Sequence, residues 1–294
     1  MTSTKLFLQE DPSQWVHFPV SELFGLDPAD LADVQLHWMQ KRFTDLLPRL
    51  PVLQQHVAQR NVNVTQQNVN EIHNLNAGAA ALFTHTMYKS YPTALIEKKD
   101  FAGLTRWLQR LTTNDLSKVD MKGVDDIDGW LERLDQAGMF VFHSTGTSGN
   151  LSFFPRSKVE EPAWAEGTYK MLEAFTGQDM HGVHLPVFWP AYRGGRQAGM
   201  RLIEYFGPRL AGSEEEYHSL FNEKMSADFM AIAMRLKRAR DRNDLKTMDL
   251  LKAAFMTKGA VLTLPAKRGK LTKEFFDMMM RDYKGRRVFL MAQA

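Results

Sequence analysis

Met139-Phe140-Val141-Phe142-His143-Ser144-Thr145-Gly146-Thr147-Ser148-Gly149-Asn150-Leu151-Ser152-Phe153-Phe154 places a run of hydroxyls and glycines between two short apolar runs. Gly146 and Gly149 permit φ > 0 and let backbone N–H groups come close to a ligand. Ser144, Thr145, Thr147 and Ser148 add hydroxyl donors around the same point. Successive main-chain amides in such a turn form a concavity suited to phosphate oxygens. The alternation of paired hydroxyl residues with single glycines arises by chance in on the order of one chain in a thousand of this length. Composition alone does not account for it.

The flanking runs decide what the loop connects. Gly138 stands where a helix C-terminus favours a left-handed residue, Met139 to Phe142 then reads as a buried strand, and Leu151 to Phe154 reads as a second one. The loop therefore joins strand to strand, whereas Walker and dinucleotide loops lead from a strand into a helix. A Walker loop would also need Gly-Lys-[Ser/Thr], and here Asn150 follows Gly149. The dinucleotide fingerprint would need a third glycine where Leu151 or Ser152 stands. A nucleophile elbow would use Gly146-Thr147-Ser148 but requires glycine at Asn150. A serine hydrolase acting through Ser148 or Ser144 is therefore the weaker enzyme reading. A nucleotide-binding or interaction module without turnover is the non-catalytic one.

Upstream, Asp27-Pro28 opens a helix, because Asp caps free N–H groups and Pro at the first position gives up a donor that has no partner there. Leu31, Val34, Trp38 and Leu46 lie close to one face of it, and Pro48 and Pro51 end it. Asn61 to Asn70 is amide-rich and reads as loop or short strand. Phe101, Leu104, Trp107, Leu108 and Leu111 follow helical spacing, as do Ile127, Trp130, Leu131 and Leu134. Downstream, Trp164 to Phe175 reads as a helix and His184 to Trp189 as a strand ending in the basic turn Tyr192-Arg193-Gly194-Gly195-Arg196. Helices follow from the Ser226 cap, over Leu245 to Phe255, and near Leu271 to Arg281. Gly285 then leads into a strand over Arg287 to Met291. Strands separated by helical stretches favour an α/β sheet.

The chain has 294 residues, 44% of them hydrophobic, enough to bury a full core as one large domain or two ordinary ones. Lys and Arg number 37 against 34 Asp and Glu, a net charge of +3 that does not point to nucleic acid. The absence of Cys excludes disulfides, thiolate catalysis and Cys-ligated zinc or iron–sulfur. No apolar run approaches a membrane span, and no basic segment followed by an apolar core opens the chain, so a cytoplasmic protein is expected. His181 and His184 lack a third ligand nearby and read as structural or surface histidines. Lys237, Arg238, Arg240 and Arg242 alternate with acidic residues and read as a solvated helix face. Met278-Met279-Met280 reads as core filling before an acyl pocket.

The segment His143 to Gly149 resembles the Ser/Thr/Gly-rich phosphate loop of the acyl-adenylate-forming enzymes. It is most similar to the branch containing phenylacetate-CoA ligases and the acyl-protein synthetases of bacterial bioluminescence. Tyr88-Lys89-Ser90-Tyr91-Pro92, Trp107-Leu108 and Leu116-Ser117 resemble the lead-in to that loop. The resemblance implies that Ser144, Thr145, Gly146, Thr147, Ser148 and Gly149 wrap the β- and γ-phosphates of ATP, with Mg²⁺ beside them. It implies ATP-dependent activation of a fatty or aryl carboxylic acid as acyl-adenylate, passed on to a thiol, amine or hydroxyl acceptor. Relatives continue the loop with Pro-Lys; here Leu151 and Ser152 stand there, and Arg156, Lys158, Arg193 or Arg196 are the candidate replacement cations.

The fold expected is α/β: a helical N-terminal region over residues 1–138, then an α/β nucleotide-binding region over 139–294. The second region carries a mixed sheet flanked by helices and the phosphate loop at 143–150. The two regions are expected to form one continuous domain. The resemblance further implies a downstream adenine and magnesium motif, a ribose-binding Asp and a catalytic Lys on a lid domain, and none of these is found. The chain is expected to be an N-terminal portion of such an enzyme, adenylating poorly or not at all by itself.

Overall fold

The structure, a computed structural model, describes residues 3–59, 74–76, 78, 84, 86–144, 150–158, 160–257 and 265–291. Its first helices are α1 (Ser3–Glu10), α2 (Val20–Phe24), α3 (Pro28–Leu46), α4 (Pro51–Gln59), α5 (Thr93–Glu97), α6 (Phe101–Gln109) and α7 (Ile127–Gln136). Then come β1 (Met139–His143), β2 (Phe153–Ser157), α8 (Glu160–Thr176), β3 (Val187–Gly195), α9 (Ala198–Ala211) and β4 (Tyr217–Met225). The last elements are α10 (Ala227–Asp241), α11 (Leu245–Thr257), α12 (Pro265–Asp282) and β5 (Phe289–Leu290). The architecture is mixed α/β, rich in helix, with small sheets. No helix among the described residues is long and apolar enough to cross a membrane.

The chain divides into two compact units, Met1–Asp120 with Pro162–Met180, and Met121–Glu161 with His181–Ala294. In the first, the Asp27 side chain accepts from the Ala29 N–H at 2.8 Å, the cap expected from Asp-Pro. The Lys5 ammonium, 5% exposed, is held by Asp30 at 2.6 Å and Asp33 at 2.8 Å, so its burial leaves no charge unpaired. Tyr91 packs edge-on against Trp107 at 5.1 Å, and the Trp107 indole N–H donates to Ser90 Oγ at 3.0 Å. Leu116 is buried as well. Residues 61–70 lie outside the described ones.

In the second unit, Ile127, Trp130, Leu131 and Leu134 are fully buried on α7, and Asp126 caps it by accepting from the Gly129 N–H at 2.8 Å. Gly138 takes φ 85°, the left-handed turn out of this helix that a side chain would strain. All five residues of β1 are buried, and β1 pairs antiparallel with β2 from Met139↔Ser157 to His143↔Phe153. Trp130 meets Phe153 edge-on at 5.0 Å, fixing α7 against this hairpin. A second sheet is parallel, in the order β4-β3-β5. Helix α9 covers it through Ile203, Phe206 and Leu210, all fully buried. A Cβ at Gly207 would stand 2.9 Å from the Tyr217 ring, so the glycine is what lets α9 lie this close to β4.

Four sequence expectations shift. Ser152 uses its N–H and C=O on Ser144, so the second strand begins at Phe153 instead of Leu151. The strand expected at His184 begins at Val187, because the Leu185 N–H is spent on Leu210 of α9 and Pro186 has no donor. It then runs on to Gly195, so Tyr192 to Gly195 are strand and not turn, with the register against β4 shifting at Trp189/Tyr192 and Tyr192/Gly194. The last strand is only Phe289–Leu290, since Gly285 and Arg286 complete the turn out of α12.

Candidate functional site

The hairpin closes below the loop with two hydrogen bonds. The Ser144 N–H donates to the Ser152 carbonyl at 3.0 Å, and the Ser152 N–H donates to Ser144 Oγ at 3.0 Å. Residues on either side of the hydroxyl–glycine run are thereby held together. His143, 1% exposed, sits at this neck: its N–H donates to the Arg196 carbonyl at 3.0 Å, and a parallel bridge joins it to Gln197. Its Nδ1 lies 2.9 Å from the Ser144 carbonyl oxygen, which can only accept, so Nδ1 carries the proton. Nε2 is left as a lone pair, buried and without a hydrogen-bond partner among the described residues. Burial lowers the His143 pKa from its ordinary value, with the Ser144 hydrogen bond and the Asp128 charge opposing, and the ring is neutral at pH 7.

Strands β3 and β4 end together at Gly195↔Met225, and the bridge at His143 brings the end of β1 to the same edge. Ligands in open α/β sheets bind outside the carboxyl ends of parallel strands. A cleft of about 590 Å³ lies here, its wall including Asp128, Asp135, Lys158, Arg196, Glu204 and Lys224. The Arg196 guanidinium donates to Asp135 Oδ2 at 3.0 Å, and Lys158 stands 3.6 Å from Oδ1. Burial alone would raise the Asp135 pKa; the Arg196 hydrogen bond and the charges of Arg196, Arg201 and Lys158 outweigh it and hold the carboxyl below its ordinary value. Glu204 accepts from the Gly195 N–H at 3.2 Å and pairs with Lys224. Asp128 takes the N-terminus of α10, accepting from Ala227 N–H at 2.7 Å, Asp228 N–H at 3.2 Å and the Ser226 hydroxyl.

Of the residues read as phosphate ligands, Ser144 is at the hairpin neck; Thr145, Gly146, Thr147, Ser148 and Gly149 lie outside the described residues. The candidate anion contacts are not brought together, and each faces a carboxylate. Arg156 pairs with Glu160 at 3.2 Å on the exposed side of β2. Arg193, a strand residue, pairs with Glu214, donates to the Tyr217 carbonyl at 2.8 Å and lies over the Tyr217 ring. Arg196 is in the cleft, 61 residues along the chain from its partner Asp135. Asp135 and Glu204 were not singled out in the sequence, because nothing local marks them. Among the described residues no group of three or more His, Cys, Asp or Glu is placed to hold a metal ion. An Mg²⁺ ion carried on phosphate oxygens would need few protein ligands. Comparison of the chain with models of protein families, with curated proteins and with solved structures finds no match.

Proposed function

We propose that Ser144 to Gly149 bind the triphosphate of ATP, and that the chain serves the activation of a carboxylic acid, fatty or aryl, as an acyl-adenylate. In that reaction a carboxylate oxygen attacks the α-phosphorus, the bond to the bridging oxygen of the β-phosphate breaks, and pyrophosphate leaves. The acyl group then passes to a thiol, amine or hydroxyl acceptor. Amides and hydroxyls aimed at the leaving pyrophosphate stabilise its developing charge, by roughly a few kcal/mol per donor where water is excluded. Bound Mg²⁺ supplies further positive charge to the same oxygens.

The observation that carries this reading is the hydroxyl–glycine string itself, set between two antiparallel strands whose neck Ser144 and Ser152 close. The test is the thermal unfolding midpoint with and without Mg·ATP, for the wild type and Gly146→Val. At ATP ten times its Kd, linkage stabilises the wild type by about 1.4 kcal/mol, a rise of about 3–6 °C. Gly146→Val, whose side chain blocks backbone approach, is expected to show none of it. An ATP-independent wild type that is labelled by a fluorophosphonate at Ser144 or Ser148 would overturn the reading in favour of a hydrolase.

A further inference from the structure

The cleft at the carboxyl edge of β3 and β4 is lined by four carboxylates and four cations. Asp128, Glu132 and Asp135 stand at i, i+4 and i+7, on one face of α7. Lys158, Arg196 and Lys224 come from the ends of β2, β3 and β4. Among the described residues that line the cleft, only Met225 offers an apolar side chain. An apolar ligand therefore gains little here, and a polyanion or a polycation meets as many like charges as opposite ones. A ligand that carries both signs does not.

The charges of the cleft are not all matched. Glu204 holds Lys224, Glu161 holds Arg201, and Asp128 is spent on the N-terminus of α10. The Glu132 carboxylate has no ion pair or hydrogen bond among the described residues. The Arg196–Asp135 pair is satisfied on one side only. Arg196 Nη2 donates to Asp135 Oδ2 at 3.0 Å, while Arg196 Nη1 and Asp135 Oδ1 are buried with no hydrogen-bond partner among the described residues. Lys158 stands 3.6 Å from Oδ1, beyond hydrogen-bond distance, and at 47% exposure it can swing aside at little cost. Buried polar atoms left over in this way are uncommon, and each calls for an explanation. Here they are one donor and one acceptor on partnered side chains, with Glu132 about 5–6 Å from Asp135 between Cβ atoms, one helical turn away.

We propose that this cleft binds a free amino acid, its carboxylate on Arg196 and its ammonium between Asp135 and Glu132. Every group named lies among the described residues of one compact unit, so the site is independent of what Thr145 to Gly149 bind. A zwitterion suits it because each end meets an opposite charge and a hydrogen-bonding group, while the Arg196–Asp135 bond is kept. The test is calorimetric titration of the wild type with each of the protein amino acids and, for the tightest of them, with its N-acetyl and carboxamide derivatives. At least one amino acid is expected to bind with a Kd of about 1 mM or tighter. Blocking either its ammonium or its carboxylate is expected to weaken binding at least tenfold. Arg196→Gln is expected to cost at least tenfold, because it removes a charged donor to the ligand carboxylate. Glu132→Gln is expected to cost about threefold or more, the scale of an exposed ion pair. It is an exposed helix position with no partner to lose, and it carries the test if Arg196→Gln does not fold. Lys237→Gln, an equal change of charge outside the cleft lining, is expected to match the wild type. No amino acid binding at that level, undiminished binding of either derivative, or wild-type affinity in Glu132→Gln would overturn the assignment.

Discussion

His143 couples the hairpin to pH through a bond whose direction is fixed. With Nδ1–H spent on the Ser144 carbonyl and Nε2 buried with no hydrogen-bond partner among the described residues, adding a proton at Nε2 places a charge in a site that desolvates it. Well above pH 6.5 the imidazole is neutral in folded and unfolded chains alike. As pH falls through about 6.5 the unfolded chain takes up a proton that the folded chain resists, so stability declines until the lowered folded pKa is passed. The slope from this one group is at most about 1.4 kcal/mol per pH unit. Asn at this position keeps a donor toward Ser144 and does not titrate. Urea unfolding at pH 7.5, 6.5 and 5.5 is expected to show the wild type losing more stability than His143→Asn between the two lower values. The pKa of His218 is also lowered by burial, but it is present in both proteins and cancels. Parallel pH profiles would show that His143 is not held neutral. The hydroxyl–glycine run that begins at Ser144 is a local feature and is visible in the sequence; the pairing of Arg196 with Asp135 is not, since it is made across 61 residues by side chains of ordinary type.

Helix α10 owes its N-terminus to a side chain from another helix. Asp128 of α7 accepts from two of its free N–H groups and from the capping Ser226 hydroxyl, and Ser226 in turn accepts from the Phe229 N–H at 3.0 Å. Asp128→Ala leaves these donors without their acceptor and is expected to cost about 1–3 kcal/mol, against about 1 kcal/mol for Ser226→Ala. Chemical denaturation of the two variants gives the comparison; equal costs would mean that Asp128 contributes nothing beyond the ordinary cap. Caps and periodic apolar faces made the helices legible: Asp27-Pro28, the Ile127 to Leu134 face and Ser226 all stand where they were read. Strand β4 was not legible. Only Tyr217 and Phe221 of its nine residues are buried, so it shows neither a continuous apolar run nor a strict alternation, and its pairing with β3 is what makes it a strand. The second half of β3 was hidden for a related reason, since Arg193-Gly194-Gly195 has turn composition and is extended by pairing with the end of β4.

Across the molecule, the hairpin neck and the carboxyl-edge cleft belong to one compact unit, Met121–Glu161 with His181–Ala294. A ligand held at the hairpin would therefore stabilise that unit first, because linkage acts on whatever must stay folded for binding. Calorimetric unfolding that resolves two transitions is expected to show Mg·ATP raising one of them and leaving the other in place. Equal movement of both would mean that ATP binding draws on more than this unit. The α/β class was readable from strands spaced by helices; the carboxyl-edge cleft was not, because it is assembled from the ends of β3 and β4 and one face of α7, which only the tertiary pairing brings together. Hydrogen exchange with and without Mg·ATP reads the main-chain amides themselves. Slowed exchange in the peptide spanning residues 144–152, with none in Phe101–Gln109 of α6, is the result expected of amides that cradle a triphosphate. Unchanged exchange over 144–152 at saturating Mg·ATP would contradict it.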